Sequence, residues 1–307
     1  MRVVRHSRST ADTAIAIGSF DGVHLGHRAM FASVCDRARR RGLTPSVLTF
    51  EPLPREFFSP ANAPARLSSL GEKIAAIGEA GIECVFAQRF DARFAALTPD
   101  EFALRLRDTY RARWVMTGQD FRYGAQRKGD TASLAAAARA LGFELEVLPP
   151  VTVLGERVSS TAVREALAGG DLAHAARLLG RPYAICGHVV HGAKRGRSMG
   201  FPTANVRLAR PRAPLTGIFA VKCFGAATRG LEGVASLGMN PAIRKDGPAT
   251  LEAFLFDFSG DLYGRRLTIE FVKKLRDEAD FASVDELAAQ IRRDCDAARE
   301  HFRSLGT

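Results

Sequence analysis

Two histidines stand three residues apart in "AIAIGSFDGVHLGH", just after a short apolar run. His24 and His27 could hold a metal, move a proton or bind a phosphate. A zinc site needs a third ligand, and the HEXXH pattern is absent here. Three nearby glycines, Gly18, Gly22 and Gly26, allow the backbone to approach a ligand closely. A helix predicted to begin near His27 offers unpaired N–H groups, so the stretch favours a phosphate site, with a metal site or a plain polar turn as alternatives.

A second stretch, "VSSTAVREAL", also indicates a phosphate ligand. It places Ser160 and Thr161 at the start of a predicted helix, with Arg164 in the first turn. An arginine there points back toward whatever the caps face, and its planar fork suits phosphate. Taken alone, the stretch would indicate a plain N-cap with a solvent-exposed arginine.

Glycines and cations are concentrated in "GHVVHGAKRGRSMGFPTANV", residues 187–206, which we predict to be a loop between strands. Backbone donors and cations in such a loop fit phosphates. The alternative for its end is a turn at Pro202 in which Thr203 and Asn205 cap the backbone. The candidate ligand-binding residues of the loop are Gly192, Lys194, Gly196, Arg197, Gly200 and Pro202.

Two kinds of secondary structure must position these residues. The first half alternates apolar runs such as "TAIAIGSF", "PSVLTF" and "IECVFAQRF" with helical patterns, which is typical of a parallel sheet with crossover helices. Beyond a hinge at Pro182, short strand candidates are separated by Gly and Pro, and a helix with Ser283 as its N-cap follows. We predict an α/β, Rossmann-like domain over residues 1–182 and a small antiparallel β-barrel with a C-terminal helix over residues 183–307.

Charge and composition narrow the function classes. The 307-residue chain has a formal net charge of +11, which favours nucleic acid, a membrane surface or phosphorylated small molecules as partners. No helix-turn-helix, zinc-finger or RNA-binding aromatic signature is present. The N-terminal apolar stretch is too short for a signal peptide, and the five scattered cysteines form no C-x-x-C pair. We expect a cytoplasmic protein that binds small molecules and has no nucleic-acid or membrane partner; its oligomeric state is open.

The motifs "GSFDGVHLGH", "GQDFRYGAQRKGD" and "SSTAVR", in this order, resemble the adenylyltransferase half of bacterial bifunctional riboflavin kinase/FAD synthetases. The resemblance implies AMP transfer from ATP to FMN by in-line attack, without a covalent enzyme intermediate. It implies that His24, His27 and Arg164 stabilise the pentavalent phosphorus and the leaving group. The nucleotide and flavin contacts that it implies are Gly18, Phe20, Asp21, Gly22, Gly26, Asp120, Arg122, Gly124, Ser160 and Thr161.

"GFPTAN" resembles the signature of the riboflavin kinase half, in which Thr203 and Asn205 would hold Mg²⁺ and ATP phosphate oxygens. Phosphorylation of an alcohol also needs a carboxylate that accepts or orients the hydroxyl proton. Glu252 is the candidate, because the family's catalytic Glu lies at the matching place and strand alternation should point it into the barrel mouth. Asp257 and Asp261 are competitors, but their place beside the turn "SGD" favours turn hydrogen bonds.

The closing segment "KLRDEADFASVDEL" resembles the family as well, which implies that Arg276 and Phe281 lie over the flavin. The chain departs from the family pattern at Leu53, at "LGMNPAI" and at Phe254. These departures affect flavin contacts and leave the proposed phosphate and metal groups intact. A single-activity nucleotidyltransferase with a degenerate barrel is the alternative, disfavoured because "GFPTAN" and Glu252 are present.

Overall fold

The computed structural model describes residues 1–5, 7–192, 200–210, 212–239 and 249–305. The chain forms two compact units. The first unit comprises Met1–Pro64 and Leu70–Ser159, and the second comprises Ala65–Ser69 and Ser160–Thr307. Residues 160–182 therefore cluster with the barrel in space, and the functional division at residue 182 stays a prediction.

The first unit is built on a six-stranded sheet in which every neighbouring pair is parallel. The strand order is β1-β4-β3-β2-β5-β6. This confirms the predicted Rossmann-like architecture. The strands are β1 (Arg2–Val4), β2 (Thr13–Ile17), β3 (Thr44–Glu51), β4 (Cys84–Arg89), β5 (Ala112–Gly118) and β6 (Glu144–Leu148).

Helices cover both faces of this sheet because its central strands are apolar on both sides. Ala14 and Ala16 of β2 face one core cluster, whereas Ile15 and Ile17 face the other. The first cluster includes residues of α1 and α3, and the second includes residues of α5 and α6. These elements are α1 (Leu25–Arg41), α2 (Pro54–Phe58), α3 (Leu70–Glu79), α4 (Ala92–Ala95), α5 (Pro99–Asp108) and α6 (Thr131–Leu141), with a hairpin of β7 (Thr152–Val153) and β8 (Glu156–Arg157).

The strand order reverses beside β2, since β3 pairs with one edge of β2 and β5 with the other. In open α/β sheets, ligands bind outside the carboxyl ends of the strands at such a switch point. The turn with His24 follows β2, and "GQDFRYG" begins at the end of β5. The topology therefore brings the first two motifs to one edge of the sheet.

The second unit contains a closed, antiparallel barrel in the order β10-β13-β12-β11-β14-β9. This confirms the predicted barrel, but residues 203–206 form a strand where we predicted a loop. Two helices precede the barrel, and a long helix follows it with Ser283 accepting the N–H of Glu286 at 3.2 Å, as predicted. The elements are α7 (Ser160–Ala168), α8 (Leu172–Leu179), β9 (Ala184–Val190), β10 (Thr203–Val206), β11 (Gly217–Phe224), β12 (Leu231–Met239), β13 (Ala249–Leu255), β14 (Arg266–Arg276) and α9 (Val284–Leu305).

Side chains alternate between the inside and the outside of the barrel. On β13, Leu251, Ala253 and Leu255 are buried, and the intervening Phe254 packs against a cluster that includes Ala298 and other residues of α9. The outer face of β13 is thus the face covered by the terminal helix. Within the part of the chain that the structure describes, no helix has both the length and the hydropathy needed to cross a membrane.

Candidate active sites

The first candidate site is the turn between β2 and α1. His24 is the N-cap of α1, and its Nδ1 accepts the backbone N–H of His27 at 3.3 Å. The two imidazoles are stacked, with ring centroids 3.6 Å apart and planes 17° from parallel. Sequence spacing predicted a helix start near His27, and the cap places both rings at that start.

The turn before His24 has an unusual backbone. Phe20, Gly22 and Val23 have φ angles of 50°, 84° and 45°. Phe20 and Val23 are not glycines, so the chain bears a conformational cost there, as is common where a ligand must be held. Phe20 is 2% exposed, and its ring packs edge-on against His27 with centroids 5.1 Å apart. Asp21 is also buried.

Gly18 and Gly26, two of the glycines predicted to approach a ligand, pack directly against the rings of Phe20 and His24. A Cβ at Gly18 would lie 2.9 Å from the Phe20 ring, and a Cβ at Gly26 would lie 3.2 Å from the His24 ring. Any larger residue would displace one of them. The glycine spacing thus has a packing reason in addition to the close ligand approach that the sequence suggested.

The surroundings of His27 disfavour its charged form. Its pKa lies well below the usual value because burial penalises the imidazolium, and the charges of His24 and Lys73 act in the same direction. Its Nδ1 is buried and has no hydrogen-bond partner within the described residues. Buried polar atoms are seldom left unpaired, so the unpaired Nδ1 indicates that the His27 ring binds a ligand.

The residues after β5 are more exposed. Asp120 forms an ion pair with Arg157 of β8, and Arg122 donates to the carbonyl of Phe121 at 3.1 Å. Gly124 has a φ of 72°, and a Cβ there would lie 2.9 Å from the backbone N of Pro99. Packing against Pro99 therefore accounts for this glycine, and its predicted nucleotide contact stays a prediction.

The "SSTAVR" motif, residues 159–164, lies in the second unit from Ser160 onward. Ser160 and Thr161 open α7, as predicted. Arg164 points back along the helix, where its Nη1 donates to the carbonyl of Ser160 at 3.1 Å and its Nε donates to the carbonyl of Ala65 at 2.6 Å. The arginine thereby joins residues 65–69 to α7 within this unit.

The second candidate site is on the barrel. Asn205 of β10 lies opposite Glu252 of β13 in the strand register, and the hydroxyl of Thr203 donates to Glu252 Oε2 at 3.3 Å. A Cβ at Gly192 would overlap the side chain of Asn205. The structure thus brings together the residues that the sequence assigned to metal binding and proton transfer.

The predicted orientation of Glu252 is wrong. The inward positions of β13 are the buried Leu251 and Ala253, whereas Glu252 is half-buried and shares its face with Phe254. Glu252 therefore lies on the outer face of the barrel. Strand alternation gave two choices of face, and the heavier burial of the odd-numbered positions decides between them.

A cavity of about 660 Å³ adjoins the start of β10, and Pro202 and Thr203 line it together with the β13–β14 loop. In that loop Asp261 accepts the N–H of Tyr263 at 2.9 Å. This confirms the turn role expected of Asp261. Asp257 instead pairs with Arg299 of α9 at 3.4 Å.

Arg276 and Phe281 lie together, as their shared motif suggested, with the guanidinium 5.7 Å from the ring centroid. Arg276 also forms a two-pronged ion pair with Asp294 of α9, which is 5% exposed. At the departures from the family pattern, Leu53 is the buried N-cap of α2, and Phe254 packs on Phe201.

Of the predicted loop over residues 187–206, the structure describes residues 187–192 and 200–206. Gly200 has a φ of 84°. Lys194, Gly196, Arg197 and most of "LGMNPAI" lie outside the described residues. Sequence reasoning missed Lys73, Arg157 and Asp294, since each lies in a stretch whose pattern only indicated a helix or a loop.

Fold and sites together define a two-part transferase, with a nucleotidyltransferase-type α/β unit followed by a kinase-type barrel. A family model described as FAD synthetase matches residues 6–162, and one described as riboflavin kinase matches residues 179–302. The chain belongs to the bifunctional riboflavin kinase/FMN adenylyltransferase family.

Individual relatives agree with this membership. The enzyme of that name from Escherichia coli K12 is 45% identical over 98% of both chains. The one from Pseudomonas fluorescens is 46% identical over 92% of this chain and 91% of its own. A solved structure described as a macrolide-efflux protein from Streptococcus pneumoniae is 30% identical, covers 97% of this chain and 98% of its own, and superposes with a TM-score of 0.79.

Proposed function

We propose that the two activities of this family are carried by separate residue sets in this chain. Residues 1–182 transfer AMP from ATP to FMN, and residues 183–307 phosphorylate riboflavin with ATP. The observation that carries the proposal is the separation of the stacked histidines from the Thr203–Glu252 pair, which lie in different compact units.

In adenylyl transfer, an oxygen of the FMN phosphate attacks the α-phosphorus of ATP, and the bond to the bridging oxygen breaks as pyrophosphate leaves. His24 and His27 donate hydrogen bonds to phosphate oxygens as negative charge accumulates on them. The N-terminus of α1, where the helix dipole is positive, stabilises the same negative charge. Asp120 and Arg122 contact the nucleotide and flavin, and the family resemblance also assigns a planar cation to Arg164, which belongs to the second compact unit.

In the kinase reaction, the terminal ribityl hydroxyl of riboflavin attacks the γ-phosphorus of ATP and ADP leaves. Glu252 accepts the hydroxyl proton. Its hydrogen bond from Thr203 fixes one carboxylate oxygen. Asn205, opposite Glu252, and Thr203 bind the nucleotide phosphates, with Gly192, Gly200 and Pro202 shaping the surroundings.

Magnesium fits the same group of residues. The hydroxyl, amide and carboxylate of Thr203, Asn205 and Glu252 are oxygen donors, which hard Mg²⁺ prefers, and a Cβ at Gly192 would fill the space that Asn205 uses. Thr203 and Asn205 would hold the ion beside the phosphates. When bound, Mg²⁺ neutralises charge on the transferred phosphoryl group.

The chemistry also suggests where the protein works. Each of the five cysteines has a free thiol. Free thiols agree with a reducing compartment, so we infer a cytoplasmic enzyme whose partners are ATP, riboflavin and FMN. The positive charge then serves anionic substrates, with neither nucleic acid nor membrane as a partner.

Two substitutions test the division of labour. We expect His27→Ala to abolish FAD formation from FMN while FMN formation from riboflavin continues at the wild-type rate. We expect Glu252→Ala, with Glu252→Gln as an isosteric companion, to do the reverse. Each reaction is measured separately with its own flavin, and circular dichroism checks folding. Loss of both activities in either folded variant would contradict the two-site assignment.

A further inference from the structure

Lys73 is a buried cation that neither motif set explains. It lies in the first turn of α3, and its side chain has no solvent-exposed surface. An ammonium group is strongly disfavoured in a protein interior. The first turn of a helix also repels positive charge because the helix dipole is positive there. A lysine at such a position needs polar partners for its ammonium group.

Hydrogen bonds connect this ammonium to the turn that holds the histidines. Lys73 Nζ donates to Thr49 Oγ1 at 3.3 Å. Thr49, near the end of β3 and fully buried, donates its hydroxyl to the carbonyl of Ser19 at 3.1 Å. A threonine hydroxyl has one proton, so accepting from Lys73 commits that proton to Ser19.

Ser19 is the residue between Gly18 and Phe20, where the strained backbone of the turn begins. A positive-φ conformation at Phe20 and Val23 persists only if its surroundings hold it. The Lys73–Thr49–Ser19 chain is such a support. It ends on the backbone that leads directly into the N-cap, His24.

The charge of Lys73 also reaches the site. It is one of the groups that hold the pKa of His27 below its usual value, after burial and His24. A fixed positive charge in a poorly solvated site attracts anions more strongly than the same charge in water. It also needs no reorganisation when negative charge develops during the reaction.

We propose that Lys73 is a positioning residue for adenylyl transfer, which fixes the β2–α1 turn through Thr49 and supplies a buried charge that stabilises the phosphates at His24 and His27. The inference rests on the proposed role of these two histidines. It adds a residue from α3, which belongs to none of the three motifs assigned to this site.

The test compares Lys73→Met, Lys73→Arg and Thr49→Val in the full-length chain. We expect Lys73→Met to lower kcat for FAD formation from FMN by about 10- to 100-fold, with a smaller change in KM for ATP and an unchanged riboflavin kinase rate. Lys73→Arg should recover part of the kcat. Arg139→Met, at an exposed cation on α6, is the matched control and should retain both activities.

A double-mutant cycle separates positioning from a merely structural role. If both residues act through one hydrogen-bond chain, the losses are coupled. The rise in activation free energy for Lys73→Met/Thr49→Val, taken from the fall in kcat, should then be smaller than the sum of the rises for the two single variants. Fluorescence of Trp114, in β5 of the same unit, shows whether each variant is folded. If Lys73→Met does not fold, Thr49→Val carries the test, and an unchanged kcat there overturns the proposal.

His27→Ala is measured alongside to distinguish two failures. If His27→Ala keeps FAD formation, the assignment of the histidines is wrong. If His27→Ala loses it while folded Lys73→Met keeps the wild-type kcat, the histidines stand and the role of Lys73 is overturned.

Discussion

Replacing Arg276 by methionine removes one partner of the ion pair between β14 and α9. Asp294 accepts Arg276 Nε at 2.9 Å and Nη2 at 2.8 Å, and also accepts the amide of Gln290 at 2.8 Å. Without the guanidinium, Gln290 is the one remaining donor of these to the Asp294 carboxylate, which is only 5% exposed. We therefore expect the second unit to be destabilised.

The magnitude follows from the burial of the pair. Removing one partner of a fully buried pair costs about 3–5 kcal/mol. Because 23% of the Arg276 side chain is exposed, solvent screens part of the interaction, and we expect about 2–3 kcal/mol. Arg276→Lys keeps the charge and loses the planar fork, so about half of that loss should remain. Asp294→Asn combined with Arg276→Met should show a coupling energy of at least about 1 kcal/mol.

Urea unfolding with two probes measures this. The single tryptophan, Trp114, lies in the first unit and reports that unit, whereas circular dichroism reports both. Arg276→Met should shift the dichroism transition and leave the fluorescence transition in place. Weaker riboflavin binding with an unchanged dichroism transition would refute the stabilising role and favour the flavin contact that the family resemblance implies.

Three other substitutions give independent checks. Because the folded-state pKa of His27 is lowered, the unfolded chain alone takes up a proton as the pH falls below about 6.5, so stability should fall by up to about 1.4 kcal/mol per pH unit. In His27→Asn this part of the pH dependence of the unfolding free energy, measured with urea, should vanish. The same slope against pH in His27→Asn and in the wild type would contradict the argument that His27 is buried. Gly22→Ala forces a side chain onto a φ of 84° and should cost about 1 kcal/mol in Trp114-monitored unfolding, and no loss would mean the turn is relaxed. Ser283→Ala removes the cap of α9 and should cost about 1 kcal/mol in the dichroism transition, whereas a neutral effect would show that the 3.2 Å bond is not stabilising.

The periodicity of apolar residues was sufficient to predict the architecture, because both units bury the apolar faces of their strands against helices or other strands. The parallel sheet, the barrel and the cap at Ser283 followed from local signals, and the structure has all of them. β10 was missed because it has four residues and follows a Gly- and Pro-rich stretch, which outweighs a short alternating pattern.

The sites were less predictable where they depend on contacts distant in sequence. Glu252 was assigned to the correct strand and the wrong face, because alternation fixes the period and not which set points inward. Lys73 stands in a helical pattern where a lysine ordinarily indicates solvent exposure. Asp294 comes 18 residues after Arg276, amid other charged residues of α9, so nothing local marks it as the partner.

The central claim is that one chain holds both catalytic sites. It is tested most directly by incubating the purified full-length protein with riboflavin, ATP and Mg²⁺ and separating the flavins by chromatography over time. We predict that FMN appears first and is then converted to FAD. Accumulation of FMN without FAD would contradict the assignment of adenylyl transfer to His24 and His27, and the absence of both products would contradict the account of both sites.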